Sequence, residues 1–468
     1  MTTIKTNKNS GFTNQLNTVT FKFCPDLLSL HSSNKKRYPF LLQSTSLKNK
    51  NSRFDILFAF PQQRLVLKNN FKLYLDNKLY PQNNFLNALD ELWNENKTIN
   101  TQKNHNIDLP FTGGWFIYLA YELLGQIEEK VKTHTLTDEM NIAIATRIPA
   151  AMICDHKNNI THLVSENITT DYIPELINDF KTINKKYDID VKINLSDKIK
   201  EEHSKHFIER IKKVKKYIFD GDIFQSNLSR EWFISEVDNI NSVSVYDKLR
   251  KNNPAAFSGI VKFDNLTIIS SSPERLIRVK DGYIETRPIA GTTQRSKDET
   301  KDSNLASILL NHPKEKAEHV MLVDMERNDL SRVCKIGTIE VNEMMTLESL
   351  THVHHIVSNI KGKLKNNVTP GNIINAVFPG GSITGCPKVR CMEIIHELED
   401  KARNSYTGSM GYLNNNGDMD LNILIRTIEH SSSGITFRTG AGIVNDSEID
   451  NELQETRNKA KGLLAALT

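Results

Sequence analysis

The stretch FPGGSITGCPKVRC at 378–391 decides how this chain is read. Glycines run into an expected helix with a lysine and an arginine just inside it, the outline of a phosphate-binding loop. The spacing argues against that reading. A loop of the form GxxxxGK[ST] needs its lysine directly after the second glycine. Gly380 and Gly385 have the required separation, but Cys386 and Pro387 follow, and lysine arrives only at Lys388. Proline donates no N–H and favours the first helical turn. The stretch therefore reads as a glycine-rich turn feeding a helix that starts near Pro387. Free N–H groups at such a helix end suit an anion, which can be a carboxylate as well as a phosphate.

Working outward, 468 residues suffice for two or three domains or one large intertwined core. A composition of 38% apolar and 25% charged residues is that of a soluble globular protein. A net charge of +4 at this length points to no nucleic-acid partner. Five cysteines form no CxxC pair and are odd in number, which fits free thiols in a reducing cytoplasmic setting. The first residues carry no apolar core of a secretory signal. The most apolar run, GGWFIYLAYELLG at 113–125, is too short to span a bilayer, so no membrane association is expected.

The polar, charged stretch at 183–203 divides the chain into an N-terminal region (1–190) and a C-terminal region (200–468). The first mixes β-rich runs at 53–60 and 141–154 with an expected helix at 85–94. In the second, Phe207, Ile208, Ile211, Val214 and Ile218 recur at helical spacing and end at Gly221. Residues 265–292 read as two strands meeting at Ser272-Pro273, then an Asp281-Gly282 turn into a third. Residues 313–330 open with proline and read as a helix, 417–444 as a two-stranded hairpin, and 449–467 as a closing helix. Strands and helices do not alternate regularly, which predicts an α+β fold rather than a doubly wound sheet.

Three carboxylates stand at punctuated places: Glu274 in a Ser-Pro-Glu corner, Glu318 on the 313–330 helix and Glu455 on the last helix. Lys459 lies four residues after Glu455, on the same helix face. That pair reads either as a surface ion pair worth about 0.3–0.5 kcal/mol or as part of a divalent site in which two glutamates hold Mg²⁺. Spacing does not choose between them. His352, His354 and His355 lack a partner cluster with zinc-ligand spacing, so a histidine beside an active site is the better reading. RTGAGIV at 438–444 lacks the third glycine of a dinucleotide fingerprint; Gly440 and Gly442 are expected to let backbone approach a ligand closely.

Taken together, GDIFQSNLS (221–229), SSPERL (271–276), ETRPIAGT (285–292), KEKAEHVMLVDMERNDLSRV (314–333), HVHHIVS (352–358), FPGGSITGCPKVRCMEIIHELE (378–399), GYL (411–413), IRT (425–427), GAGIV (440–444) and QETRNK (454–459) follow the motif order of the chorismate-binding enzymes. The chain resembles that family over essentially all of 205–467. The resemblance implies two β-sheets packed together and covered by helices, with the active site in the C-terminal part. It implies Mg²⁺ held by Glu318 and Glu455, and Glu274 as the general acid for the departing 4-hydroxyl. Tyr412, Arg426, Gly440, Gly442 and Lys459 match groups that hold the substrate carboxylates; Gln225, Thr292 and His355 match other catalytic positions.

Family members that add water carry a lysine where this chain has Gln225, so ammonia is the expected nucleophile. The GGSIT turn, Asn227 and HVHHIVS resemble aminodeoxychorismate synthases, whereas Ala290 is typical of anthranilate synthases. The sequence shows no glutaminase motif, which implies a separate glutamine amidotransferase subunit as ammonia donor. The N-terminal region also resembles these synthases, and PFLLQS at 39–44 places Ser44 in the tryptophan-pocket element of that resemblance; an ordinary strand ending in serine fits the same residues.

Overall fold

The structure, a computed structural model, describes residues 16–46, 52–96, 108–136, 140–166, 170–183, 193–235, 240–349 and 353–468. His352 and residues 184–192 of the 183–203 connector lie outside them. Two antiparallel sheets of twelve strands each dominate. In chain order the first sheet takes Leu16–Phe21, Phe40–Gln43, Phe54–Ala59, Ala150–Asp155, Ile160–Glu166, Lys200–Glu201, Gln225–Ile234, Phe257–Phe263, Leu266–Ser272, Gly385–Cys386, Thr427–Ser431 and Gly434–Ile443. The second includes Gly114–Leu119, Asn141–Ile148, Arg275–Lys280, Ile289–Gln294, Val353–Lys363, Ser409–Asn414 and Met419–Asn422. Each sheet draws strands from both sides of the connector: Leu42 pairs with Gly259, and Ile117 with Gly411. The fold is α+β.

Period-two alternation explains how the first sheet is buried on both faces. Phe58, Val261 and Ile268 point into the core shared with the second sheet, where Phe40 stacks on Phe116 with ring centroids 4.2 Å apart. Their neighbours Leu57, Ile260 and Ile269 point the other way, into a second cluster beneath the helices Ser242–Asn252 and Ile449–Leu467.

Helices follow the sequence expectations closely. Ser204–Phe219, Pro313–Ser331, Lys388–Leu398 and Ile449–Leu467 form as read, and Pro387 caps the third from outside it. One expectation about strands is corrected. Residues 417–444 are not one hairpin. Met419–Asn422 belongs to the second sheet, and only Thr427–Ser431 and Gly434–Ile443 pair as a hairpin, in the first. The 141–154 run is β as expected, and Pro149 divides it between the sheets, with Asn141–Ile148 in the second and Ala150–Asp155 in the first.

Such crossings between sheets shape the molecule. The chain passes from the first sheet to the second at Pro273-Glu274, and returns from the second to the first over 423–426. The two crossings are stitched side by side. Ile423 N donates to the Glu274 carbonyl at 3.1 Å, and Ser272 Oγ to the Ile423 carbonyl at 2.5 Å. Arg426 takes a left-handed backbone conformation with φ of 51°, rarely adopted by a residue with a side chain.

Because the inter-sheet core depends on the stacked rings, Phe116→Ala is expected to lower unfolding stability by about 3–5 kcal/mol. Urea denaturation of wild type and variant measures this; a loss near zero would show that the core collapses onto the gap.

Candidate active site

The stitched crossings form one wall of a cavity of about 160 Å³. Pro273 and Glu274 come from the outgoing crossing, Ile425 and Arg426 from the returning one. His355 enters from the strand Val353–Lys363, Ser382 and Ile383 from the glycine-rich turn, Gly440 from Gly434–Ile443 and Lys459 from the last helix. The structure thus gathers Glu274, His355, Arg426, Gly440 and Lys459 from five separate segments.

Glu274 is only 6% exposed, and Ser382 Oγ donates to its Oε1 at 2.7 Å. Burial pushes its pKa up to about 7, against the opposing effects of that hydrogen bond and the Lys459 charge. A carboxyl of this kind still holds a proton near neutral pH, which an acid catalyst needs. His355 is buried, and desolvation together with the Arg426 charge pushes it down to about 4, so the ring is neutral. Arg426 donates to Asn253 Oδ1 at 3.1 Å, and among the described residues no carboxylate pairs with it. Lys459 bonds the Gly440 carbonyl at 2.9 Å and pairs with Glu455 at 2.7 Å. Arg426, without a carboxylate partner among the described residues, thus shares the cavity with a protonatable acid. Asn227 adds a buried carbonyl oxygen, Oδ1, with no hydrogen-bond partner among the described residues.

The walls are held by a buried ionic cluster. Glu399 accepts from Arg403 at 2.7 and 2.9 Å, from Arg438 at 3.1 Å, and from Ser229 N and Oγ at 2.8 and 3.0 Å. Arg403 also donates to the carbonyls of Asn227 (2.7 Å) and Ile383 (3.1 Å), tying two cavity walls together. Arg438 itself reaches the cavity. These two arginines hold the Glu399 carboxyl down at about 2 despite complete burial.

Several expected site residues fall differently. Tyr412 is not in this cavity. It lines a second one of about 90 Å³ with Leu42, Ser44, Phe54, Arg275 and Met410. The tyrosine beside Glu274 is Tyr406, whose hydroxyl lies so close to Gly440 that a Cβ there would collide with it. The sequence signal was the neighbouring aromatic in NSYTGSMGYL, with the wrong member chosen. Gln225 stands just beyond the cavity, its amide against Gly442, so that a side chain at 442 would clash. Thr292 pairs by backbone with His355, while its side chain lies outside the described atoms. The turn, rather than the N-terminus of the helix after it, reaches the cavity. Gly385, with φ of 142°, lets that turn lie directly against the Gln225 carbonyl.

Two helices border the cavity. Pro313–Ser331 packs on the turn and on the strands that carry Ile289 and His355; Ile449–Leu467 supplies Lys459. Glu318 stands on the first helix and Glu455 on the second. Among the described residues no three His, Cys, Asp or Glu side chains converge into a metal cage. Neither side chain is among those that line the cavity, and two glutamates remain only the kind of donor that Mg²⁺ takes, one or two carboxylates with water and substrate oxygens.

A buried acid facing cations, inside two packed antiparallel sheets, describes an enzyme site for an anionic small molecule. Comparison with known proteins defines that class. The profile of the chorismate binding enzyme family matches residues 43–465, and the chain belongs to this family. It is 40% identical over 395 residues to the anthranilate synthase component I-like protein of Synechocystis sp., covering 81% of this chain and 78% of that protein. It is 46% identical over 261 residues to aminodeoxychorismate synthase component 1 of Bacillus subtilis, covering 56% and 55%. The crystal structure of anthranilate synthase component I from Streptococcus pneumoniae superposes with a TM-score of 0.77 at 30% identity, covering 88% of this chain and 92% of that one. No helix among the described residues is long and apolar enough to cross a membrane.

Glu274 has a raised folded-state pKa, so its ionisation opposes folding. Stability is full below the ordinary carboxyl value of 4.5 and declines as pH rises through about 7. Glu274→Gln is therefore expected to gain roughly 1–3 kcal/mol near pH 8 and nothing near pH 4. Calorimetric Tm values at the two pH values measure this; equal shifts at both would rule out a raised pKa.

Proposed function

We propose that this chain is the chorismate-aminating component of an aminodeoxychorismate synthase, replacing the 4-hydroxyl of chorismate with ammonia. The observation that carries the reading is the Ser382–Glu274 hydrogen bond: a buried acid is held by the serine of the GGSIT turn, opposite Arg426 and Lys459. Arg426 and Lys459 attract and orient the substrate carboxylates. Glu274 gives its proton to the departing 4-hydroxyl, which leaves as water. Ammonia adds at the ring carbon and then sheds one proton, balancing the one Glu274 gave up. Gln225 has no basic group with which to activate water, which favours ammonia as nucleophile.

Glu318 and Glu455 would hold Mg²⁺, which when bound supplies positive charge for a substrate carboxylate. A glutamine amidotransferase subunit would deliver the ammonia. The cavity beside Ser44 is proposed as a separate tryptophan site. Its serine is anchored, with Ser44 N donating to Asp55 at 2.9 Å.

A second reading has its own support. Ala290, half-buried on the strand Ile289–Gln294, favours anthranilate synthase, in which ammonia enters at C2 and pyruvate is lost. Incubating the chain with chorismate, Mg²⁺ and ammonium separates the two. The expected outcome is 4-aminobenzoate only after aminodeoxychorismate lyase is added; anthranilate formed without the lyase would establish the second reading. In either reaction Glu274→Gln is expected to lower kcat by about 10²–10⁴-fold.

A further inference from the structure

Behind the glycine-rich turn lies a second buried acid that the chemistry above leaves unused. Glu326, on the helix Pro313–Ser331, is 4% exposed, and its Oε1 accepts the Gly381 N–H at 3.3 Å. The next residue, Ser382, bonds Glu274. Two adjacent residues of one turn therefore carry two buried carboxyls, one on each side. Gly381 leaves no slack: a Cβ there would press on the side chains of Met325 and Glu326.

We propose that Glu326 is a positioning residue that fixes the Gly381-Ser382 turn and, through its charge, sets the proton affinity of Glu274. The inference rests on Glu274 being the general acid.

The groups facing the pair come from several elements. Asp329, one turn along the same helix, is paired with Lys388 of the helix Lys388–Leu398 at 2.8 Å, and Arg332 lies near Asp329. That pairing leaves Lys388 to offset Glu326 only in part. Glu274 faces Lys459 of the last helix, with Arg426, His355, Tyr406 and Arg438 around the same cavity. Burial pushes Glu326 up to about 7, and the charges of Asp329 and Glu274 push the same way. Two desolvated carboxyls that feel each other titrate as a pair, and the second proton is harder to remove than the first. Whichever ionises raises the other. An ionised Glu326 therefore keeps Glu274 protonated to higher pH, and opposes the bare Glu274 carboxylate left once its proton has gone to the leaving hydroxyl.

Glu326→Gln removes this charge but keeps an acceptor for Gly381 N–H. Glu274 acts protonated, so activity falls as pH rises through its pKa, and a lower pKa moves that limb toward acid. The expected result is an acid-ward shift of the alkaline limb of kcat/KM by about one pH unit, with the KM for chorismate unchanged at low pH. An unshifted limb in folded Glu326→Gln, with Glu274→Gln inactive, overturns the proposal while leaving the acid role of Glu274 standing. Full activity in Glu274→Gln overturns both. If Glu326→Gln fails to fold, infrared carboxyl titration of Glu274→Gln decides. Reciprocity requires Glu326 to titrate at lower pH there than in wild type, and an unchanged titration overturns the proposal.

Discussion

The site depends on the hydrogen bonding between two places where the chain changes sheets. When Ile423 N donates to the Glu274 carbonyl, it clamps the outgoing crossing to the returning one. Each crossing by itself would be an irregular link with backbone groups to satisfy. Side by side they satisfy each other and open a cavity at the seam. The acid and the principal cation stand on the two halves of that seam, so their separation is set by backbone pairing rather than by side-chain choice. Arg426 bears a left-handed φ as the cost of this arrangement, a conformation the surrounding structure must hold in place.

Electrostatics then follow from what is and is not neutralised. Arg403 and Arg438 share the buried Glu399, and their charge is largely spent inside the protein. Arg426 is satisfied by an amide rather than an acid, and so keeps its attraction for an anion. Glu274 is deprived of water, and its hydrogen bonds to Ser382 and the Ile289 backbone and the Lys459 charge offset that burial only in part, so it stays protonatable. The same kind of burial yields a carboxyl near 2 in Glu399 and near 7 in Glu274 because the first has two guanidinium partners and the second has none.

Much of this was legible in the residues. Helices with a marked start or stop, such as Ser204–Phe219 with its apolar stripe ending near Gly221 and Pro313–Ser331 opened by its proline, were placed to within a few positions. The strands were visible, but their sheet membership was not. Ser272 and Arg275 are three residues apart and lie in different sheets, and a Ser-Pro-Glu corner looks the same whether the chain folds back or crosses over. Tyr412 was favoured over Tyr406 for a similar reason: six residues apart, they carry the same chemistry, and only the three-dimensional path shows that one faces Glu274 and the other Ser44. Glu326 was read only as part of a helical motif, because its proximity to Glu274 is made by tertiary packing.

The interleaving of early and late strands bears on how the protein is made. In the first sheet, Phe40–Gln43 lies against Phe257–Phe263, and the neighbouring positions are filled by strands ending as late as Ile443. In the second, Gly114–Leu119 lies between Asn141–Ile148 and Ser409–Asn414. A ribosome synthesising this chain has early strands waiting, unpaired along one edge, for partners some two to three hundred residues downstream. Pairings of such long reach close slowly, and exposed strand edges invite association with other chains in the meantime.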